Sequence, residues 1–439
     1  MKNNQSIWAM MLILSILITG CVKATAEPTQ VPTSVPPVEE PTKVPTKVPT
    51  EVPTAIPTEA EPIKLGVIVS LGDISGINGQ NGALLAQEEI NAAGGILGRP
   101  LEVIVMDDEM TPEKGAAAVE KLVTVDNVDA FVINSFSGVH MAQIPTLKKY
   151  GTVTIVTGAA SHLCEEAIGT DADWYFHLHS WDYMQGQGQK AGWLAITEKY
   201  PDLEFGSVFM AYEEGAFGTA SFQFSQVLFE DMATLSGESF KSAAMGGGDY
   251  SAVLEHAKAE NADSFTWVGY AADALPILEQ AKAINYAPPF FVGAPPGWPP
   301  DFGDSPLSEG VIAYEVWADA LTEVSDVSKD FYDSYVDLYG SGPDNYLAAL
   351  VYSAVHILAE GMERAGTLEA DALITALEET EYVAPTMEVI TFSPSMIIKH
   401  QAPLTPMIAQ YQGGELEVLY PWDRATSELI YPFPSWEGR

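Results

Sequence analysis

The sequence predicts an α/β protein in which helices cover parallel sheets on both faces, arranged in two lobes. The chain has 439 residues, more than one hydrophobic core usually organises. Apolar residues make up 47% and charged residues 18%, a composition that excludes a disordered chain without a core. Short apolar runs alternate with helix-periodic segments, and this alternation is typical of a parallel sheet.

The first predicted unit begins with residues 65–70 (LGVIVS), a continuous apolar run expected of a strand buried on both faces. A helix is predicted over 79–93, where an apolar stripe with 3,4,3 spacing ends at Gly94-Gly95. Thr111-Pro112 is a helix start signal. The unit's remaining predicted elements are strands at 101–106, 128–133 and 153–157 and a helix at 139–150.

The alternation restarts after Trp181. The predicted elements are helices at 182–200, 218–235, 250–260 and 272–284 and strands at 205–210, 239–245 and 264–269. Residues 317–390 are mostly helical by pattern, and residues 404–420 are predicted to form two strands around Gly413-Gly414. Because neither half carries a complete set of elements, exchange of the chain between two lobes is expected.

The N-terminal residues predict export and a lipid anchor. Lys2 precedes an apolar run over 7–18, too short for a membrane span but as long as a signal-peptide core. The run ends in Ile18-Thr19-Gly20-Cys21, which resembles the bacterial lipobox. Residues 1–20 are therefore predicted to be a lipoprotein signal peptide and Cys21 the lipidated residue. The alternative is an ordinary secretory signal with an incidental cysteine.

Residues 21–62 are predicted to be a disordered tether rich in proline and threonine. Ten prolines fall between residues 22 and 62. Proline supplies no amide donor and fixes φ, so this segment is expected to extend as polyproline rather than to pack. The tether would hold a folded body at the outer face of the membrane, on the periplasmic side or at the cell surface.

Charge and motif content exclude several classes of partner. The chain has 60 acidic against 20 basic side chains and a net charge of −40, which would repel nucleic acids. Its two cysteines, Cys21 and Cys164, lack the spacing of a disulfide framework or a metal site. Neither HExxH nor GxSxG occurs. The sequence therefore carries none of these motifs, and neither a metal nor a cofactor is predicted.

A family resemblance covers nearly all of residues 63–439. Residues 79–100, which contain EEINAAGGILGRP, are followed by a predicted strand and Asp107-Asp108. This stretch resembles the opening of the leucine/isoleucine/valine-binding family of type I periplasmic binding proteins. Supporting stretches are YGTVTIVTGAAS at 150–161, Phe217-Gly218, Gly269-Tyr270 and residues 343–366.

The resemblance implies two doubly wound lobes that close like a hinge on one small ligand. The implied crossovers lie near 177–179, 315–316 and 392–393, with one lobe formed by 63–178 plus 317–392 and the other by 179–316 plus 393–439. Ligands of open parallel sheets bind beyond the carboxyl ends of the strands, so the strand-to-helix turns facing the cleft are the candidate site.

The resemblance also implies a function, which is reversible binding by a protein that is not an enzyme. The protein would be a monomeric, lipid-anchored solute-binding protein of an ABC importer that captures a small amino acid or a related amide or carboxylate and delivers it to a membrane permease. The alternative is a sensor of the same fold that signals to a membrane partner.

In the first lobe, the resemblance places the ligand carboxylate against Ser137. This serine follows a predicted strand at a helix start, where backbone amides can also receive an anion. Gly158, Ala159 and Ser161 match the next ligand-binding turn of the family, with serine in place of the more usual threonine. For Ser137 the alternative is a helix N-cap without a ligand, and for Ser161 a plain turn serine.

In the second lobe, the resemblance singles out Phe217, Tyr270, Pro295 and Trp298. Phe217 replaces a family tyrosine, and Tyr270 matches a pocket tyrosine that is alternatively a half-buried aromatic at a strand end. Pro295 stands where amino-acid-binding members have a glutamate that pairs with the ligand ammonium. Either Asp273 or Glu213-Glu214 substitutes for that glutamate, or the ligand is not an α-amino acid. In the second case Trp298 would pack against an aromatic or aliphatic ligand; the alternative is that Trp298 lies in a surface loop.

One histidine pair is a weaker candidate, for a metal. His177 and His179 would lie on one face of a strand and could bind a metal together with His162 or Asp182. Because the pair falls at a predicted crossover, the structural interpretation is favoured, and no metal site is predicted.

Overall fold

The computed structural model describes residues 61–437. The predicted signal peptide, Cys21 and the predicted tether as far as residue 60 lie outside the described residues. Within 61–437, no helix is both long enough and apolar enough to span a membrane.

The elements of residues 61–437 alternate along the chain as the sequence predicts. The strands are β1 (Ile63–Val69), β2 (Leu101–Asp107), β3 (Ala130–Asn134), β4 (Thr154–Val156), β5 (Tyr175–His177), β6 (Ser207–Glu213), β7 (Thr234–Phe240), β8 (Ser264–Val268), β9 (Phe290–Gly293), β10 (Ile312–Glu315), β11 (Tyr382–Val383), β12 (Val389–Ile390), β13 (His400–Gln401), β14 (Met407–Gln412) and β15 (Glu415–Tyr420). The α-helices are α1 (Ile74–Ala92), α2 (Pro112–Lys121), α3 (Ser137–Tyr150), α4 (His162–Ile168), α5 (Asp182–Lys199), α6 (Ala216–Leu228), α7 (Ser251–Glu260), α8 (Ala274–Ala283), α9 (Asp326–Tyr339), α10 (Leu347–Ala365) and α11 (Ala370–Glu378).

The first lobe is built on a six-stranded sheet with the order β13-β5-β4-β3-β1-β2, in which every pair is parallel. Successive side chains of a strand point to opposite faces, so strands covered on both sides are apolar throughout. In β1, Val67 and Val69 pack in the same core as α1 and α10, whereas Ile68 packs with α2, α3 and α4. The predicted doubly wound arrangement is confirmed.

The second lobe has a seven-stranded sheet with the order β15-β14-β10-β9-β8-β6-β7. Strands β6 to β10 are parallel, whereas β14 lies antiparallel to β10 and turns at Gly413-Gly414 into β15. Helices α7 and α8 pack in the core on one face, and α5 packs in a separate cluster on the other face together with the end of α6.

The chain passes between the two sheets three times. The first passage follows β5 at residues 178–181, and the second follows β10 at residues 316–318. The third was expected at 392–393, but β13 pairs with β5, so the chain leaves the first lobe only after Gln401. A strand of two residues is too short to show periodicity, and Phe392 packs on the first sheet with its ring centroid 4.9 Å from that of Phe176.

Helix α1 begins at Ile74, earlier than the predicted start at residue 79. Asp73 is the N-cap, and its carboxylate accepts hydrogen bonds from the backbone N–H of Ser75 at 2.9 Å and from the Ser75 hydroxyl at 2.6 Å. The first turns bury Ser75 and Asn78, so they carry no apolar stripe from which the helix could be predicted.

Candidate ligand-binding site

A cavity of about 60 Å³ lies between the lobes at the carboxyl ends of their strands. The first lobe contributes the turns after β3 and β4 and the start of α10, and the second lobe contributes the start of α6 and the turns after β8 and β9. The predicted site residues that line this cavity are Ser137, Gly158, Ala159, Phe217, Tyr270 and Pro295, whereas Ser161 and Trp298 lie outside its lining.

Ser137 is the first residue of α3, and its side chain is almost fully buried at 3% exposure. The N-cap residue Phe136 makes no side-chain hydrogen bond to the first turn in the described structure, so no side chain of the N-cap occupies the amides of Ser137 and Gly138. The Ser137 hydroxyl oxygen accepts a hydrogen bond from the backbone N–H of Ser161 at 3.2 Å. Its own hydrogen is therefore left to donate to a ligand acceptor.

The turn after β4 brings its backbone to the cavity wall. Ala159 has a φ of +57°, a left-handed conformation that is uncommon for a residue with a side chain. At Gly158 a Cβ would lie 2.6 Å from the carbonyl oxygen of Ser135, so only glycine lets the turns after β3 and β4 approach each other.

Ser161 is the N-cap of α4 rather than part of the lining. Its hydroxyl oxygen accepts a hydrogen bond from the backbone N–H of Leu163 at 3.3 Å, and the side chain is fully buried. This placement agrees with the alternative interpretation of Ser161 as a turn serine. A contact between Ser161 and a ligand stays a prediction, which the geometry does not favour.

Two aromatic rings of the second lobe close the cavity. Tyr270 lies directly after β8, and its ring centroid is 4.4 Å from that of Phe136 on the opposite lobe and 6.2 Å from that of Phe217. Burial, followed by the charge of the Glu213 carboxylate, raises the pKa of Tyr270 well above its usual value. The phenol therefore stays protonated at neutral pH and retains a hydrogen to donate.

Trp298 belongs to the core of the second lobe. Its indole N–H donates to a carboxylate oxygen of Glu315 at 2.7 Å, and its ring packs edge-on against Trp267 with the centroids 5.6 Å apart. Only 3% of Trp298 is exposed, so it lies neither in the cavity wall nor in a surface loop.

The acidic residues proposed as replacements for the missing glutamate point elsewhere. Asp273 is fully buried and accepts hydrogen bonds from donors of its own lobe, among them the Tyr250 hydroxyl at 2.5 Å and the Tyr270 backbone N–H at 2.7 Å. Glu213 accepts from the backbone N–H groups of Gly215 at 2.6 Å and Gly218 at 2.8 Å. Neither carboxylate lines the cavity, and Glu214 is exposed.

Sequence reasoning did not assign His179, Gln185, Tyr314 or Tyr346 to the ligand site, although all four line the cavity. His179 lies on the first passage between the lobes, and Tyr314 lies near the second. Their positions at the predicted crossovers are the signal that could have identified them.

The histidine pair has structural partners. The ring of His177 stacks on that of Trp181 with the centroids 3.7 Å apart, and its nitrogens lie 3.0 Å from the Gln401 side-chain oxygen and 3.1 Å from the Gly158 carbonyl oxygen. His162 pairs with Asp182 at 2.8 Å. In the described part of the chain, no three histidine, cysteine or acidic side chains are grouped as metal ligands.

One hydrogen bond joins the two lobes beside the cavity. The side-chain amide of Asn345, just before α10, donates to the carbonyl oxygen of Pro296 at 2.5 Å. At Gly297, whose φ is +141°, a Cβ would lie 1.6 Å from the same amide nitrogen. The lobes therefore approach here to a distance that excludes any side chain at position 297.

The fold is that of proteins that hold a small solute between two lobes and do not transform it. Residues 62–415 match the family described as periplasmic binding protein, and the chain belongs to that family. The resemblance that the sequence indicated is thereby confirmed.

Two relatives and one solved structure illustrate the similarity. The chain is 24% identical over 376 residues to Leu/Ile/Val-binding protein homolog 7 of Brucella abortus, covering 84% of this chain and 92% of that protein. It is 25% identical over 328 residues to the leucine-, isoleucine-, valine-, threonine-, and alanine-binding protein of Pseudomonas aeruginosa, covering 73% and 81%. The substrate-binding protein LivJ of Streptococcus pneumoniae, solved in complex with isoleucine, superposes with a TM-score of 0.70 at 24% identity, covering 82% of this chain and 100% of LivJ.

Proposed function

We propose that the protein is the extracytoplasmic receptor of an ABC importer and captures a small amino acid or a related amide or carboxylate. The cavity at the carboxyl ends of two facing sheets carries this proposal, because open α/β sheets bind ligands at that position. The relatives are named for branched-chain amino acids, and LivJ holds isoleucine, which supports a solute of that size.

The proposed ligand contacts follow the two lobes. Ser137 and the first amides of α3 bind a carboxylate, and the turn at Gly158 and Ala159 presents its backbone beside it. Phe217, Tyr270 and Pro295 form the apolar wall from the second lobe. The passages at 178–181, 316–318 and 402–406 act as the hinge on which the lobes close.

The proposed location is the outer face of the cell membrane. The lipobox-like sequence ending at Cys21 supports a lipid anchor, and the proline-rich residues up to 62 support a tether of semi-rigid polyproline. A permease in the membrane is the proposed partner, and the receptor is proposed to act as a monomer.

A ligand screen tests the proposal. Purified protein is heated with leucine, isoleucine, valine, their amides and related carboxylates, and binding is then quantified by calorimetry. A ligand at 100 times its Kd stabilises the folded state by about 2.7 kcal/mol, which raises the unfolding temperature measurably. If no compound of these classes binds, and mass spectrometry finds no small solute co-purified with the protein, the receptor proposal is wrong.

A further inference from the structure

The cavity between the lobes has an unusual charge composition for a site that would hold an α-amino acid. Within the described residues, no aspartate, glutamate, lysine or arginine contributes to its lining. The polar side chains of the lining carry amide, hydroxyl and imidazole groups. Five aromatic rings also line the cavity: Phe136, Phe217, Tyr270, Tyr314 and Tyr346. An ammonium group enclosed there would lack the carboxylate partner that a buried charge requires.

Two buried carboxylates of the second lobe are already engaged. Asp273 holds the Ser242 hydroxyl at 2.8 Å and the Ala243 backbone N–H at 2.7 Å, in addition to its bonds with Tyr250 and Tyr270. Glu315 accepts from Trp298, and burial raises the pKa of Glu315 well above its ordinary value. Neither carboxylate lines the cavity, and both oxygens of Asp273 already accept hydrogen bonds from its own lobe, so neither is placed to pair with a ligand ammonium.

The His179 ring fixes the hydrogen-bonding role of Tyr346. Its Nδ1 lies 3.0 Å from the carbonyl oxygen of Ser180, which can only accept, so Nδ1 carries the proton. Burial lowers the pKa of His179 to about 4, and the ring is neutral at physiological pH. Nε2 therefore accepts the hydroxyl hydrogen of Tyr346 at 2.9 Å, and a ligand donor meets only one neutral oxygen there.

Two further hydroxyls of the lining, those of Tyr314 and Ser137, are arranged as donors. Trp193 donates its indole N–H to the Tyr314 oxygen at 2.6 Å, and Ser161 donates its backbone N–H to the Ser137 oxygen at 3.2 Å. Each hydroxyl then has its own hydrogen left for the ligand. With the amides at the start of α3, the cavity offers several donors to an anion and no charged acceptor to a cation.

We infer that the cavity takes a solute that carries one carboxylate on an apolar or aromatic body and no ammonium group. The carboxylate lies against Ser137 and the start of α3, and the body lies between the aromatic rings. This specificity is assigned to Pro295, because it places an apolar ring in the lining where an acidic side chain would bring a carboxylate to the cavity. This inference rests on the proposed function and specifies its ligand.

Matched pairs of compounds test the inference, since the members of a pair differ only in the ammonium group. Leucine is compared with 4-methylpentanoate, and phenylalanine with 3-phenylpropanoate, by calorimetry at pH 7 on the full mature chain. In at least one pair the carboxylic acid is expected to bind at least about tenfold more tightly than its amino acid, equivalent to about 1.4 kcal/mol. Tighter binding of the amino acid in both pairs overturns the inference and leaves the receptor proposal intact. Binding of none of the four compounds overturns the inference and counts against the receptor proposal as well.

A charge added to the wall provides the second measurement. Pro295→Glu is expected to shift the affinity ratio at least about tenfold towards the amino acid, because the new carboxylate pairs with its ammonium. Pro300→Glu adds the same charge to an exposed position of the same loop and is expected to leave the ratio unchanged. If the Pro295→Glu protein unfolds at the wild-type temperature and its affinity ratio is unchanged, Pro295 does not set the specificity. The same conclusion follows if both variants shift the affinity ratio equally.

Discussion

The rings of Phe136 and Tyr270 meet across the cleft, with their centroids 4.4 Å apart and their planes tilted by 37°. Phe136 precedes α3 in the first lobe, and Tyr270 follows β8 in the second. The pair is thus an apolar contact between the two lobes, and it lies in the wall of the cavity.

We expect this ring pair to contribute to closure. An aromatic pair is worth about 0.5 to 1.5 kcal/mol beyond the area it buries. In a double-mutant cycle with Phe136→Leu and Tyr270→Leu, the two losses of ligand affinity should be non-additive by about that amount. Calorimetry gives the four affinities. Strict additivity would show that the rings do not interact in the bound state.

Replacing Ser137 by alanine should weaken ligand binding without unfolding the protein. A hydrogen bond to a charged ligand group is worth about 1.5 to 3 kcal/mol, which is roughly a 10- to 150-fold change in Kd. Ser161→Ala is the matched control, because its hydroxyl caps α4: it should lower the free energy of unfolding by about 0.5 to 2 kcal/mol and change the affinity less. The reverse pattern would restore Ser161 as the ligand-binding serine.

Gly297→Ala should impede closure, because its Cβ would overlap the amide nitrogen of Asn345. Overpacking of this kind typically costs about 1 to 3 kcal/mol, and here it should appear as lost ligand affinity. Gly94→Ala is the control for backbone strain, since Gly94 has a φ of +114° but open space around it. Adding Asn345→Ala should restore affinity to the Gly297→Ala protein; failure to do so would mean that the contact does not limit closure.

Acid should destabilise the fold through buried histidines. Burial lowers the pKa of His140 to about 4, so between pH 6.5 and 4 the unfolded chain binds a proton that the folded chain does not. The contribution of the neutral His140 ring to the free energy of unfolding is therefore fully present above pH 6.5, and it is lost as the pH falls towards 4. On going from pH 6.5 to 4.5, wild type should lose about 2 kcal/mol more than His140→Gln in urea unfolding. His256→Gln, at an exposed position, is the control and should not reduce the loss of unfolding free energy between pH 6.5 and 4.5. If it does reduce that loss, the pH dependence does not come from His140.

The anchor prediction concerns Cys21. Cys21→Ala should release the protein from the membrane fraction, because the lipobox-like run is the attachment signal that the sequence provides. Fractionation followed by a carbonate wash measures the change. Retention of the variant in the pellet as firmly as wild type would contradict lipidation at Cys21.

The sequence predicts the architecture well because buried parallel strands are apolar on both faces, as in β1, and helices carry stripes. Its errors lie where local pattern carries no information. The first turns of α1 bury Ser75 and Asn78, β13 has two residues, and the third passage was therefore expected too early.

Only those residues of the candidate site that lie in strand-to-helix turns could be predicted from the sequence. Ser137 and Tyr270 follow strands and line the cavity, as expected for an open α/β sheet. His179 and Tyr346 reach it from the passages between lobes and from a helix start, and their contact depends on tertiary packing across 167 residues of chain. No local pattern distinguishes Ser161, which caps a helix, from Ser137, which faces the cavity.

Both lobes are completed by segments near the C-terminal end of the described residues, which matters for how the protein is made. The first sheet lacks an edge strand until His400 has been synthesised, and the core of the second also needs Phe433 and Trp436. Neither lobe is therefore complete before residue 400, for the first, and residues 433–436, for the second, have been added, and contacts so distant in sequence form slowly. For an exported polypeptide, late completion of both lobes leaves less finished structure to oppose threading through a translocation channel.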